Sequence, residues 1–203
     1  VQKIVTSTVA LDLLGPDHKF ETRVLANSMP EDGLLGGDLY VQGGGDPFLV
    51  SERLWLLAQE VAATGLRTVT GDLVIDAMPV GDLDSLRLAE ATPSPYAARV
   101  TSLGANFNSL AFIVRPGKRP GDQAIVAIEP FPLSTLSVAN EVLTIARDST
   151  PSPIEIVLSG GDRETATLRG SIRAGDPPSR IYRACGDPDR LVGGILKGFL
   201  EQR

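Results

Sequence analysis

One cysteine, one histidine and one tryptophan stand among 203 residues, and aromatic side chains make up only 5% of the chain. Each scarcity removes a class of chemistry. A lone Cys185 allows no internal disulfide and no thiolate metal cage. His18 is the only imidazole, so a Ser-His-Asp relay would hang on one residue of the turn GPDHKF, where an exposed loop histidine is the simpler reading. No His or Cys cluster has metal-ligand spacing, and the acidic loop at Asp82 and Asp84 lacks the spaced oxygen series of a calcium site. No metal or other cofactor is expected. Basic residues are scattered and outnumbered, 19 against 25 acidic, for a net charge of −6 and a pI near 4.8. That balance argues against nucleic acid as a partner. No apolar run approaches the roughly 18 residues of a membrane span.

What the chain does contain is glycine and proline, 21 and 15 residues, within an otherwise ordinary globular composition. Its length suffices for one large domain or two small ones with a sizeable core. The first 14 residues predict an amphipathic helix, Val1 to Leu14, with Ile4, Val5, Thr8, Leu11 and Leu14 at helical spacing. Gly15-Pro16 stops it, and an extended segment, Phe20 to Leu25, follows. Residues 34–42 read as a strand running into Gly43-Gly44-Gly45-Asp46-Pro47. Ser51 is the expected cap of a helix over 52–64 that buries Leu54, Leu57, Ala58 and Val61, with Gly65 closing it. A strand over 69–75 completes a small α/β unit.

Residues 78–95 have little pattern and read as a surface loop. Beyond Tyr96, strands are predicted at about 107–114, 123–129, 137–144, 154–158 and 166–172, spaced as in a compact antiparallel β domain. The tail returns to helical period over 187–202, capped by Asp187 with Pro188 in its first turn. The fold class expected is α+β: two edge helices flanking a long β-rich insert with one small α/β unit.

Few residues carry chemistry. The GGGDP turn has neither Walker spacing nor G-x-G-x-x-G, so tight-turn geometry explains it better than phosphate binding. Cys185 is a weak nucleophile candidate in a turn-like ACGDP. Lys3 is the strongest candidate. A lysine acts as a base only when neutral, which burial beside another cation favours, and residues three apart share a helix face. A hydroxyl one turn before Lys3 would sit within its reach. An ordinary solvated lysine at a helix start is the alternative.

The stretches QKIVTSTVALDLLGPDHKFET, GLLGGDLYVQGGGDP, TGDLVID, NFNS followed by VRPG, and GGILKGFL occur in the order and at about the separations of one family. Together they resemble class C penicillin-binding proteins, the D-alanyl-D-alanine carboxypeptidase/endopeptidases of peptidase family S13. The resemblance implies that Lys3 is the lysine of a Ser-x-x-Lys motif, its serine falling one position before Val1. It implies a catalytic domain split by an insertion: residues 1–20 and 181–203 as its edges, 21–35 with 99–180 as a β-rich domain, and 36–98 as a nested α/β domain. The implied substrate is a peptidoglycan stem peptide, with β-lactams as covalent inhibitors, in a periplasmic or extracytoplasmic setting.

Three departures stand beside the resemblance. The serine is not among these residues, Ser-x-Asn and Lys/His-Thr-Gly occur nowhere in them, and the loop after TGDLVID has no tryptophan. The 203-residue chain by itself is therefore expected to be inactive. The competing expectation is a non-catalytic module that binds peptidoglycan or self-associates as a homo-oligomer.

Overall fold

A computed structural model describes residues 2–77, 94–130, 135–160 and 164–202. Helix α1 spans Gln2–Leu14 and ends where Gly15 turns left-handed, its N–H returning to the Leu11 carbonyl at 3.0 Å. The helix is where the sequence puts it, but its apolar face is not covered. None of its residues is buried, and Ile4 and Leu13 are 71% and 75% exposed. Val5, Val9, Leu11 and Leu14 are exposed as well, so apolar residues lie around the whole circumference.

The α/β unit forms as a parallel ladder with a helical crossover. Strands β2 (Leu34–Leu35) and β3 (Leu39–Gln42) precede α2 (Ser51–Ala63), and β4 (Thr68–Val69) and β5 (Leu73–Asp76) follow it. Leu34 pairs with Thr68 and Leu39 with Leu73, in parallel and in one constant register. Each expected strand is thus two short pieces with a shared interruption. There the Gly71 N–H bonds the Gly37 carbonyl at 3.0 Å, and the Asp38 carboxylate takes the Asp72 N–H at 2.8 Å. Side-chain hydrogen bonding replaces the ladder for one step. Strand β1 (Arg23–Ala26) runs antiparallel to β3, giving the order β1-β3-β5.

Ser51 is the first residue of α2 and not its cap. Val50 occupies the cap position in extended conformation without a side-chain bond. The capping oxygen comes from Asn106, whose Oδ1 accepts the Ser51 N–H at 3.1 Å while its Nδ2 donates to the Ser51 Oγ at 2.8 Å. An orphan helix donor is satisfied equally well by an oxygen from a distant loop.

The remaining strands are β6 (Ser109–Arg115), β7 (Ile125–Glu129), β8 (Leu136–Ile145), β9 (Glu155–Ser159), β10 (Glu164–Arg173) and β11 (Ser179–Ala184). They form two sheets, β11-β6-β7 and β8-β10-β9. The expectation of a wholly antiparallel domain fails in the second, where β10 runs parallel to β8 from Leu136↔Glu164 to Ile145↔Arg173. β9 pairs antiparallel with β10 on its far side, which leaves β8 and β10 pointing the same way. Alternation of period two reports burial and carries no information on strand direction. β11 was not expected at all.

Helix α3 (Pro188–Glu201) is capped as predicted, the Asp187 carboxylate accepting the N–H groups of Asp189 and Arg190 at 3.1 Å each. It buries Leu191, Val192, Ile195 and Leu196 and packs on α2 and β5. The larger of two buried clusters among the described residues joins Val41 and Leu54 to Phe112, Val142, Leu168 and Ile195, and the smaller one holds Leu35, Leu39 and Val61. Fully burying side chains of this size is worth about 1.5–3 kcal/mol each. Position 181 lies inside β11, so the chain enters α3 from a strand of the β6 sheet.

Candidate functional site

Lys3 lies in the first turn of α1 with its side chain exposed. Among the described residues, no other candidate from the sequence gathers around it. Two threonines of the same helix, Thr6 and Thr8, bond back to the carbonyls of Gln2 and Ile4 at 3.1 and 2.9 Å, so their hydroxyls are engaged with the backbone.

His18 is exposed, its ring set edge-on to Phe20 at 4.9 Å. It occupies the turn position read from the sequence. Cys185 is buried, its N–H bonded to the Asn108 carbonyl. Burial, reinforced by the negative charges of Glu164 and Asp187, pushes its thiol up to about 12. A thiol so protonated is no nucleophile at neutral pH. Cys185 is therefore expected to resist a disulfide reagent at pH 8 until the chain is unfolded; stoichiometric modification of the native protein would contradict this. Burial also raises the Glu164 carboxyl, despite the Gly186 N–H it accepts at 2.9 Å. Asp82 and Asp84 lie outside the described residues. Among those described, no group of three or more His, Cys, Asp or Glu is placed to hold a metal ion.

The GGGDP turn is structural. A Cβ on Gly43 would overlap Leu103 and the Ser102 carbonyl, and one on Gly44 would overlap the Glu21 carbonyl oxygen. Gly45 is left-handed and donates its N–H to Ser102 at 2.7 Å, while Asp46 accepts the Phe48 N–H. Two backbones meet here at a separation that only glycine allows. Gly44→Ala is expected to lower stability by about 1–3 kcal/mol, the usual cost of overpacking. A denaturant midpoint equal to that of the parent would contradict this.

Sequence reasoning missed a second feature. Asn106, Phe107 and Asn108 all adopt left-handed backbone, with φ of 51°, 57° and 53°. Such residues cost roughly 1–3 kcal/mol each and persist only where neighbouring bonds over-determine them. Asn106 is held by its bonds to Ser51. The buried Asn108 accepts the Ala105 N–H at 3.1 Å and donates to the Arg99 carbonyl at 2.6 Å. Between them Phe107 is carried outward, 67% exposed. The two asparagines are the signal that could have revealed it, because asparagine is enriched in left-handed backbone.

Phe107 stands at the rim of an open groove of about 730 Å³ on the outer face of β6, β7 and β11. Ala111 of β6 forms its floor, with Tyr182 and Glu129 directly across the ladder on either side. Arg180 bridges the walls, 2.8 Å from Glu129 and over the Tyr182 ring. Tyr96, 98% exposed, closes the other side from the 3-10 turn at residues 95–97. A second cleft, between β5 and α3, is lined by charged groups that include the Arg190–Asp187 and Lys197–Glu201 pairs.

The chain is similar to known proteins. A D-alanyl-D-alanine carboxypeptidase of Actinomadura sp. (strain R39) is 33% identical over 98% of this chain, which spans 38% of that protein's length. The D-alanyl-D-alanine carboxypeptidase DacB of Haemophilus influenzae is 37% identical over 37% of the chain and 16% of its own length. The crystal structure of penicillin binding protein 4 (dacB) from Haemophilus influenzae shares the fold, with a TM-score of 0.73 at 21% identity over 99% of this chain and 44% of the other. The same protein complexed with a β-lactam gives 0.67 at 23%, over 99% of this chain and 42% of the other. The expected α+β class and the resemblance read from the motifs both hold. Residues 1–203 match throughout, and the chain belongs to the D-Ala-D-Ala carboxypeptidase 3 (S13) family.

Proposed function

We propose that this chain is part of a serine-type D-Ala-D-Ala carboxypeptidase/endopeptidase acting on peptidoglycan stem peptides outside the cytoplasmic membrane, and that Lys3 is its proton-transferring lysine. The observation that carries the reading is the position of Lys3 in the first turn of α1, within a family match over residues 1–203. The motif spacing puts the nucleophilic serine immediately before Val1, one helical turn from the Lys3 amine.

In the proposed reaction the serine oxygen bonds to the penultimate D-alanyl carbonyl carbon as its proton passes to the Lys3 Nζ. Collapse of the tetrahedral adduct breaks the amide C–N bond, and the leaving nitrogen takes that proton. Water then hydrolyses the ester, releasing the shortened peptide and restoring the serine. Two conditions follow. Backbone N–H donors must face the developing oxyanion. The exposed Lys3 must also be covered, because only burial or a nearby cation brings a lysine to the neutral form at physiological pH. Residues 1–20 and 181–203 are proposed as the edges of the domain that supplies this cover, with 21–35, 99–180 and 36–98 as its insert. β-Lactams are proposed to acylate the same serine.

The 203-residue chain, purified alone, is expected neither to release D-alanine from a stem-peptide mimic nor to take up labelled penicillin. A longer polypeptide holding the serine and the two later motifs is expected to do both. Covalent labelling of the chain alone would overturn this assignment.

A second reading has its own support in the uncovered apolar circumference of α1. Exposed apolar area of that kind favours association. The chain alone would then behave as a self-associating or wall-binding module without chemistry. A monomeric sedimentation profile, together with failure to pellet with peptidoglycan, would count against it.

A further inference from the structure

The make-up of the groove on the β6 sheet selects among ligands. Its floor strand, β6, is hydrogen-bonded on both sides, to β11 and to β7. An extended peptide binds a sheet by adding to a free edge, and here the free edges are the outer sides of β7 and β11, away from the Ala111 floor. Among the described residues that line it, the one cation, Arg180, is already paired with Glu129, and Glu52 adds a further negative charge, so a polyanion is disfavoured. What remains are aromatic rings from Tyr96, Phe107 and Tyr182, the last with Arg180 over one face, and the carboxylates of Glu52 and Glu129; the Asn106 amide and the Ser109 hydroxyl are already bonded to Ser51 and to the Phe107 carbonyl. That combination suits a ligand with apolar ring faces and hydroxyls at the ring edge. The volume, about 730 Å³, lies within the range of small-ligand sites.

We propose that the groove binds an uncharged N-acetylhexosamine oligosaccharide, the repeating chemistry of a wall glycan strand. Sugar rings stack on Phe107 and on the Tyr182 face not covered by Arg180, and their hydroxyls bond the carboxylates of Glu129 and Glu52. The strained Asn106-Phe107-Asn108 turn presents the first of these rings. The choice of a wall glycan over other saccharides rests on the function proposed above; the saccharide class rests on the groove alone. Binding here would hold a glycan strand against the β11-β6-β7 sheet.

The test is calorimetric titration of the purified 203-residue chain with the β-1,4-linked N-acetylglucosamine tetramer. Saturable binding is expected, weakened about three- to tenfold by Tyr182→Ala and by Phe107→Asn, as loss of one ring contact predicts. Asparagine suits the left-handed backbone, so Phe107→Asn is expected to keep the parent's thermal midpoint and serves as the informative variant if Tyr182→Ala fails to fold. Absence of saturable binding, binding unaffected by Phe107→Asn, or capture of a lysine-rich peptide in place of the tetramer would each overturn the proposal. Penicillin acylation of the longer polypeptide is read separately, so failure of the glycan site is distinguishable from failure of the catalytic assignment.

Discussion

Replacing Lys3 by alanine, in a longer polypeptide that carries the preceding serine, is expected to slow acylation by a β-lactam by roughly 10²–10⁴-fold, the contribution of a positioned proton acceptor. Lys3→Arg should be nearly as slow, because a guanidinium keeps its proton at any working pH. Neither change should move the folding midpoint of the 203-residue chain, since the Lys3 side chain is exposed and α1 buries none of its residues. That separation of rate from stability distinguishes a chemical role from a structural one. A solvated bystander lysine would give parent-like rates in both variants, and the measurement is a stopped-flow or labelled-penicillin time course.

Asn108→Ala is expected to give a large loss of stability. Its amide closes a buried hydrogen bond to the Ala105 N–H and a part-buried one to the Arg99 carbonyl, and its backbone sits at φ 53°. Leaving the buried Ala105 N–H unpaired and placing alanine in left-handed backbone should together cost about 2–4 kcal/mol. That is a substantial part of the 5–15 kcal/mol by which domains are usually stable. Asn108→Gly spares the backbone strain but loses both bonds, so its loss should be smaller than that of alanine. Denaturant titration reads both; equal midpoints for Asn108→Ala and the parent would show that the turn is not held by this amide.

The helices were legible because their signals are local. Asp187-Pro188 followed by Leu191, Ile195 and Leu196 states both the start of α3 and its buried face. Leu54, Ala58 and Val61 do the same for α2. Its cap was not legible, because the oxygen that replaces a Ser51 cap belongs to Asn106, and nothing near Ser51 encodes that contact. Strand positions between 109 and 173 followed from alternation, whereas the parallel pairing of β8 with β10 depends on where β9 sits in the sheet. The periodic residues of α1 mark a helix correctly, but burial requires a partner surface, and the described residues supply none.

For the site, Lys3 could be named from motif spacing because a catalytic pair one helical turn apart is a local pattern. The groove is the opposite case. Tyr96, Ala111, Glu129 and Tyr182 come from four separate segments and meet only through the β11-β6-β7 register. GGGDP falls between the two: its tightness was legible, but the neighbours that demand it, Glu21 and Ser102, were not.

The serine and the Lys3 amine are proposed as partners across one turn of α1, and this is most directly tested by treating the longer polypeptide with benzylpenicillin and mapping the adduct by peptide mass spectrometry. The expected result is one penicilloyl group on a serine immediately preceding Val1, absent after mild hydroxylamine treatment. An adduct on any other residue, or a folded protein with a residue other than serine at that position, would contradict the account.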